Sequence, residues 1–300
     1  MNNLVIICAI LLLVLLFLKV PVYIAVLSAS AVYFIGTPGM NLSIFAQKTI
    51  SGAEGLSLLA IPFFVCAGIF MNYTGVTKRI MNCCEVLTAR MPGGLAQVNI
   101  LLSTLMGGLS GSSLADAAMQ CKMLVPTMES KGYSKSFSTV ITAASGMVVP
   151  LIPPGVGLII YGCINNISIG KLFIAGIGPG IVLCVTLMIF THFLSKKRGY
   201  LPSRTTKIPV SEKIAAVRPA FLPLLLPIII IGGVRIGVFT ASEAGTVAIV
   251  YAVLLGLLYK ELTLKNVMQG CKETVTTTAS IMLIVAAATC FSWILTKEQI

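Results

Sequence analysis

Histidine and aspartate are almost absent from this sequence: His192 is the single histidine and Asp116 the single aspartate. One imidazole on an apolar stretch can supply neither the ligand set of a His-based metal centre nor a nucleophile-base relay, so His192 reads as a satisfied or lipid-facing side chain. Charge is scarce too, with 10% of residues charged against 57% apolar and a mean hydropathy of +1.00. That balance excludes a soluble globular protein. The nine cysteines (Cys8, Cys66, Cys83, Cys84, Cys121, Cys163, Cys184, Cys271, Cys290) are odd in number and scattered, with no CxxC spacing. They support neither a disulfide framework nor a zinc site.

What is present is a membrane chain. A helix crosses about 30 Å of hydrocarbon with roughly 20 residues, so 300 residues hold on the order of nine to eleven crossing or half-crossing segments and no separate globular domain. The net charge of +12 would suggest nucleic acid in a soluble protein. Here the Lys and Arg residues sit in short loops between apolar runs, where they report topology.

Leu4 to Leu18 lacks the positive start and cleavage site of a signal peptide and reads as a retained helix, broken at Lys19-Val20-Pro21 and followed by a short second helix, Val22 to Ile35. Gly36 to Ser57 is mixed in polarity and expected at the surface; Leu58 to Tyr73 is a third span. Thr77 to Met91 and Lys122 to Ser136 read as polar connections. Between them lies Gly93 to Met119, and after them Phe137 to Ile164, interrupted by prolines. Leu172 to Leu194, Pro219 to Val234, Ala244 to Tyr259 and Val275 to Leu295 read as further spans, with a basic connection from Ser195 to Arg218.

With the N-terminus placed outside, Lys and Arg crowd the loops assigned inside, and only Lys48, Lys171, Arg235 and Lys297 remain outside. This asymmetry holds only if Gly93 to Met119 enters and leaves on the same side, as a re-entrant hairpin. Its centre, Gly107 to Ala118, is dense in Gly, Ser and Ala. Small residues let backbones approach closely, and hydroxyls with freed carbonyls can replace water around an ion. Asp116 lies beside the tip, and an intramembrane carboxylate is costly enough to be functional by default. The plainer alternative is a small-residue packing contact in which Asp116 caps the second arm.

The second feature is Ala144 to Gly155, with Pro150, Pro153 and Pro154. Such a run cannot continue an α-helix; it must unwind and restart, with Pro153 or Pro154 near the first turn of the second half. A broken helix offers carbonyls for a cation and a positive N-terminal end for an anion, and together with a hairpin tip it forms the usual half-site of a secondary transporter. A simple proline kink is the alternative. Glu243 in Thr240-Ala241-Ser242-Glu243 reads as a capping carboxylate. Arg235 reads as an interfacial anchor, Asn165 and Asn166 as a helix cap, and Trp293 and Tyr259 as interfacial aromatics.

The stretches Gly-Leu-Ser-Gly-Ser-Ser-Leu-Ala-Asp-Ala-Ala (108–118) and Ile-Pro-Pro-Gly-Val-Gly-Leu-Ile-Ile-Tyr-Gly (152–162) carry a family resemblance. So do Leu59 to Phe64 with Ala67-Gly68, Met91 to Ala96, Ser168 to Gly176 and Phe239 to Ala244. The chain resembles the large membrane subunit of the tripartite ATP-independent periplasmic (TRAP) transporters. The resemblance implies an all-α polytopic inner-membrane protein of elevator type, with its N-terminus periplasmic. It implies sodium-driven, binding-protein-dependent import of an organic acid such as a C4-dicarboxylate or sialic acid, with no enzymatic activity. Its partners would be a small four-helix membrane subunit and a periplasmic substrate-binding protein.

Carried over by position, Ser110, Gly111, Ser112 and Asp116 of the hairpin and Gly146, Val149 and Pro150 of the broken helix would form a sodium site. Ser113, Pro153, Pro154 and Gly155 would lie near the substrate anion. The expected division is 1–73 for N-terminal scaffold and surface helix, 74–164 for the first half of a transport domain, 165–259 for scaffold helices, and 260–300 for the start of a second repeat. Family members continue for about a further third, so the expectation includes a chain that supplies half of a site. The rival reading is therefore a non-transporting scaffold or inactive fragment. An intramembrane enzyme would need a second acid beside Asp116 that the sequence does not offer, and a channel suits a broken helix less well than an occluding site does.

Overall fold

The computed structural model describes residues 3–204, 206 and 208–300. All regular structure among them is helical. The α-helices are α1 (Asn3–Phe17), α2 (Val22–Gly36), α3 (Leu42–Ser51), α4 (Ala60–Tyr73), α5 (Val76–Thr88), α6 (Gly94–Ser110), α7 (Ser113–Ser130), α8 (Lys135–Gly146), α9 (Val156–Ile164), α10 (Ile169–Lys197), α11 (Val210–Ile236), α12 (Ala241–Leu258) and α13 (Leu264–Lys297). Short 3-10 turns at Leu56–Leu59 and Val149–Leu151 precede α4 and α9.

Among the described residues five helical stretches are long and apolar enough to cross a membrane: Leu56–Tyr73, α10, α11, α12 and α13; a sixth arises if α8 and α9, bent by 43°, count as one broken span. The 15 residues of α1 and of α2 reach only about 22 Å at 1.5 Å per residue, short of the hydrocarbon thickness. Many large apolar side chains stay exposed on the long helices, among them Val182, Phe190 and Phe193 of α10 and Phe221 and Ile228 of α11. Such surfaces suit a lipid solvent, where there is no penalty for leaving them uncovered.

The chain forms two compact units. The first comprises Met1–Leu59 and Val275–Ile300. Its α1 and α2 make a hairpin around the Lys19-Pro21 break, and the core gathers Val5, Cys8, Ala29, Tyr33, Phe34, Cys290 and Ile294. Phe34 stacks on Trp293 with ring centroids 5.6 Å apart and planes 13° apart. The ammonium groups of Lys48 and Lys297 lie 5.3 and 5.5 Å from that indole, a cation–π arrangement suited to the membrane interface.

The second unit runs from Ala60 to Thr274. Here α4 packs along α12, with Gly245 against Phe63 and Phe64 and Gly256 against Thr74. α12 starts with a capping box: Glu243 accepts from the Thr240 amide at 2.7 Å, and the Thr240 hydroxyl accepts from the Glu243 amide at 3.3 Å. Against α12, α11 is tied by the Tyr251 and Tyr259 hydroxyls, which donate to the carbonyls of Leu222 and Pro219 at 2.6 and 3.2 Å.

Four sequence readings are corrected. Thr77 to Met91 is not a connection but the helix α5, whose buried Val76, Ile80, Cys83 and Cys84 recur at helical spacing. Lys122 to Ser136 is helical as far as Ser130, because α7 carries its polar residues on an exposed face and tolerates Pro126. α11 begins at Val210, well inside the basic connection, and α13 begins at Leu264, before the apolar run. Polar and basic residues on one side of a helix do not stop it; they mark where it leaves its packed surroundings.

Candidate functional site at the hairpin tip and the broken helix

α6 and α7 are the two arms of a hairpin, and Gly111-Ser112 is its tip. Gly111 sits at φ +62°, a conformation in which a side chain would be strained, and its amide closes α6 onto the Gly107 carbonyl at 3.3 Å. Ser112 caps α7: its hydroxyl accepts from the Ala115 amide at 3.4 Å. The alternative in which Asp116 does the capping is therefore not what the fold uses. The Asp116 carboxyl points elsewhere, 1% exposed and with no hydrogen-bond partner on either oxygen.

The broken helix meets this tip. α8 ends at Gly146, a 3-10 turn follows at Val149–Leu151, and α9 starts at Val156 with Gly155 as its N-cap. Pro153 and Pro154, joined by a cis peptide bond, therefore form the link before α9 and are not its first turn; Gly155 takes the extended conformation that opens the helix. Backbone faces backbone across the contact. A Cβ on Gly107 would meet Val149 Cα at 3.0 Å, one on Gly108 would meet the Pro153 carbonyl at 3.2 Å, and one on Gly111 would meet the Pro154 carbonyl at 3.0 Å. On the other side of the tip, Gly146 lies against the Ser113 carbonyl.

Four helix ends thus converge. The C-terminal ends of α6 and α8 bring carbonyls without intrahelical partners, and the N-terminal ends of α7 and α9 bring free amides. The first pair favours a cation and the second an anion. Within this cluster Ser110 is buried at the last position of α6, and its hydroxyl, also without a hydrogen bond, lies close enough to the Asp116 carboxyl to interact with it. Pro153, Pro154, Gly155, Gly111, Gly146 and Val149 are buried as well; Ser113 and Pro150 are half-buried, and Ser112 is exposed. All eleven positions singled out in the sequence therefore lie on the tip or on the break it touches. Among the described residues no three of His, Cys, Asp and Glu converge on one point. The donor set is one carboxylate amid neutral oxygens, which matches a monovalent cation better than a divalent one.

A model of the family described as "Tripartite ATP-independent periplasmic transporter, DctM component" matches residues 9–300. The chain belongs to this family. It is 41% identical over 287 residues to the sialic acid TRAP transporter large permease protein SiaM of Vibrio cholerae, covering 95% of this chain and 67% of that protein. It is 37% identical over 289 residues to the sialic acid TRAP transporter permease protein SiaT of Haemophilus influenzae, with 96% and 47% covered. It is 38% identical over 281 residues to the 2,3-diketo-L-gulonate TRAP transporter large permease protein YiaN of Escherichia coli, with 93% and 66% covered. The chain spans about half to two thirds of the length of these relatives. The DctM family is a family of transporter permeases, not of enzymes, and the long apolar helices agree with a multi-pass membrane protein.

One part of this DctM-family hairpin escaped the sequence reading. Behind the tip, five buried polar side chains form a network across three helices. The Asn99 amide donates to the Thr142 hydroxyl at 2.7 Å, and Asn99 Oδ1 accepts from Ser145 at 2.7 Å. Ser103 donates to Ser145 at 2.9 Å and accepts from the Gln120 amide at 2.8 Å. The network locks α6 to both α7 and α8, so it holds the carboxylate-bearing arm and the arm leading into the break in one register. The only sequence signal for it was polarity inside the apolar α6, at Asn99 and Ser103, four residues apart and hence on one face.

Proposed function

We propose that the chain acts in a sodium-coupled, binding-protein-dependent importer of organic acids, as its large membrane subunit, working by an elevator motion in the inner membrane with its N-terminus periplasmic. Its partners are the small four-helix membrane subunit and a periplasmic binding protein. The substrate is a carboxylate such as sialic acid or a C4-dicarboxylate. The single observation that carries sodium coupling is the Asp116 carboxyl, buried beside carbonyl-bearing helix ends with no hydrogen bond made on either oxygen and with the Ser110 hydroxyl close by. A buried carboxylate left unpaired is costly, and a desolvated cation held by it and by the ends of α6 and α8 offsets that cost.

In this reading Ser110, Gly111, Ser112, Asp116, Gly146, Val149 and Pro150 hold the sodium ion through side chains and carbonyls. Ser113, Pro153, Pro154 and Gly155 line the approach of the substrate anion to the N-terminus of α9. The exposed Ser112 contributes least through its hydroxyl, which the cap already uses.

The test is thermal unfolding of the purified chain in NaCl and in KCl at equal ionic strength. Sodium at about a hundredfold over its Kd stabilises a one-site protein by about 2.7 kcal/mol. Sodium is expected to raise Tm in the parent and to have no effect in Asp116→Asn, which keeps the shape and removes the charge. Equal Tm in the two salts, or an undiminished sodium response in Asp116→Asn, refutes the assignment; in the first case the scaffold reading takes its place. Sodium-gradient-driven uptake of labelled sialic acid or succinate with both partners present then tests coupling itself.

A further inference from the structure

At the C-terminal end of α10 the chain builds a polar cavity that the transport site does not use. α10 ends with Lys196 and Lys197, and Arg198, Gly199 and Tyr200 then turn back over the α7–α8 turn. Tyr200 stacks on Tyr133 with ring centroids 4.3 Å apart, and its hydroxyl accepts from the Ser134 amide at 3.1 Å. Two backbone bonds pin the returning segment: Gly93 donates to the Tyr200 carbonyl at 3.2 Å and Arg204 to the Ala89 carbonyl at 2.9 Å. Between the two turns lies a cavity of about 420 Å³, whose walls include Lys131, Tyr133, Arg198, Tyr200 and Ser203 and no carboxylate.

The charge in this cavity is unbalanced. Among the described residues the one ion pair joins Arg204 to Glu212, so neither Lys131 nor Arg198 has an acid within ion-pair distance. The Arg198 guanidinium lies 5.3 Å from the Phe137 ring, which fixes its direction without cancelling its charge. The Tyr200 phenol is held below its ordinary pKa, first by its hydrogen bonds with Ser134 and then by Arg198, another mark of a site that favours negative charge. Beside it, the outer face of α10 carries a groove of about 490 Å³ lined by Ile189, Phe190, Phe193 and Leu194, with Lys197 at its rim. Lys197 lines the groove and the next residue, Arg198, lines the cavity, so the groove ends within one residue of the cationic end.

We propose that this corner of the molecule is a site for an anionic phospholipid, with the phosphate held between Lys131 and Arg198 and an acyl chain laid along the α10 groove. A basic pocket at the end of an apolar helix is the arrangement that selects lipid phosphates, at about 1 kcal/mol per basic residue. The neighbouring groove argues for a lipid and against a soluble anion, which would have no use for it. Because Lys131 belongs to the α7–α8 turn and Arg198 to the end of α10, one phosphate would tie these two parts together. Lipid composition would then set how firmly the hairpin arms are anchored.

The experiment titrates phosphatidylglycerol into the purified chain in phosphatidylcholine nanodiscs and follows Tm, with inorganic phosphate as a separate arm. Phosphatidylglycerol is expected to raise Tm saturably, while added phosphate and further phosphatidylcholine leave it unchanged. Lys131→Gln with Arg198→Gln should shift the half-saturating lipid fraction about fivefold per cation removed, about 25-fold together. A control with the same change in net charge elsewhere, Lys260→Gln with Lys265→Gln at positions that line neither the cavity nor the groove, should keep the parent response. Should the double variant fail to fold, Lys131→Gln alone, at an exposed position, should still give the fivefold shift. The proposal is overturned if phosphate alone reproduces the stabilisation, if the control loses the response equally, or if the cavity variants keep it.

Discussion

Gly68 on α4 is where a single carbon atom should report on the site. A Cβ built there would lie 2.4 Å from the Ser110 carbonyl oxygen, 3.0 Å from its carbon and 3.1 Å from its Cα, whereas ordinary contact begins at 3.4 Å. Every opposing atom is backbone, so no rotamer change relieves the clash. α4 and the hairpin tip must separate by about 1 Å, at the about 1–3 kcal/mol that overpacking costs. The Ser110 carbonyl is also one of the helix-end oxygens assigned to sodium, and a displacement of that size is large for an oxygen cage. Gly68→Ala is therefore expected to lower Tm in KCl by roughly 2–12 °C, at the 2–4 °C per kcal/mol usual for chains near this size, and to abolish most of the extra stabilisation in NaCl. Gly178→Ala on α10 is the matched control, because nothing lies within 4 Å of its Cβ position; there alanine should be neutral or stabilising by up to about 1 kcal/mol. An unchanged Tm in Gly68→Ala would refute the close approach of α4 to the tip. A lowered Tm with an intact sodium response would refute the role of the Ser110 carbonyl.

Other expectations follow from the same geometry. Asn99→Leu leaves the Thr142 and Ser145 hydroxyls short of partners inside the hairpin and should cost about 1–3 kcal/mol in thermal unfolding, with Ser103→Ala costing less. Thr240→Ala removes half of the α12 capping box and should cost about 1 kcal/mol, read as faster amide exchange confined to the first turn of α12. Phe34→Ala empties a site that is 1% exposed and should cost about 3–5 kcal/mol. Because Trp293 is the only tryptophan and stacks on that ring, the loss should appear directly as a change in its fluorescence.

Much of this architecture was legible in advance. Lys19-Val20-Pro21 ended α1, the Pro150 to Gly155 run broke α8 from α9, and the Gly-Ser-Ala stretch around Gly111 turned α6 into α7. In each case a local rule decides: proline lacks an amide, and a left-handed turn suits glycine. α5 and the far half of α7 are polar enough to resemble connections. The spacing of their polar residues placed these on one face and was the better guide.

Composition and local breaks determined on their own that the chain is helical and membrane-bound, where the hairpin turns and the proline-rich helix breaks, and which stretches carry polar chemistry. Only the tertiary structure decided that the Gly107–Gly111 edge of the tip lies against Val149 to Val156 and that Asn99 meets Ser145 46 positions away. The physical reason is range. Breaks and caps arise from bonds within a few residues, whereas a contact between helices depends on which faces interdigitate, and that is settled by packing the whole set at once.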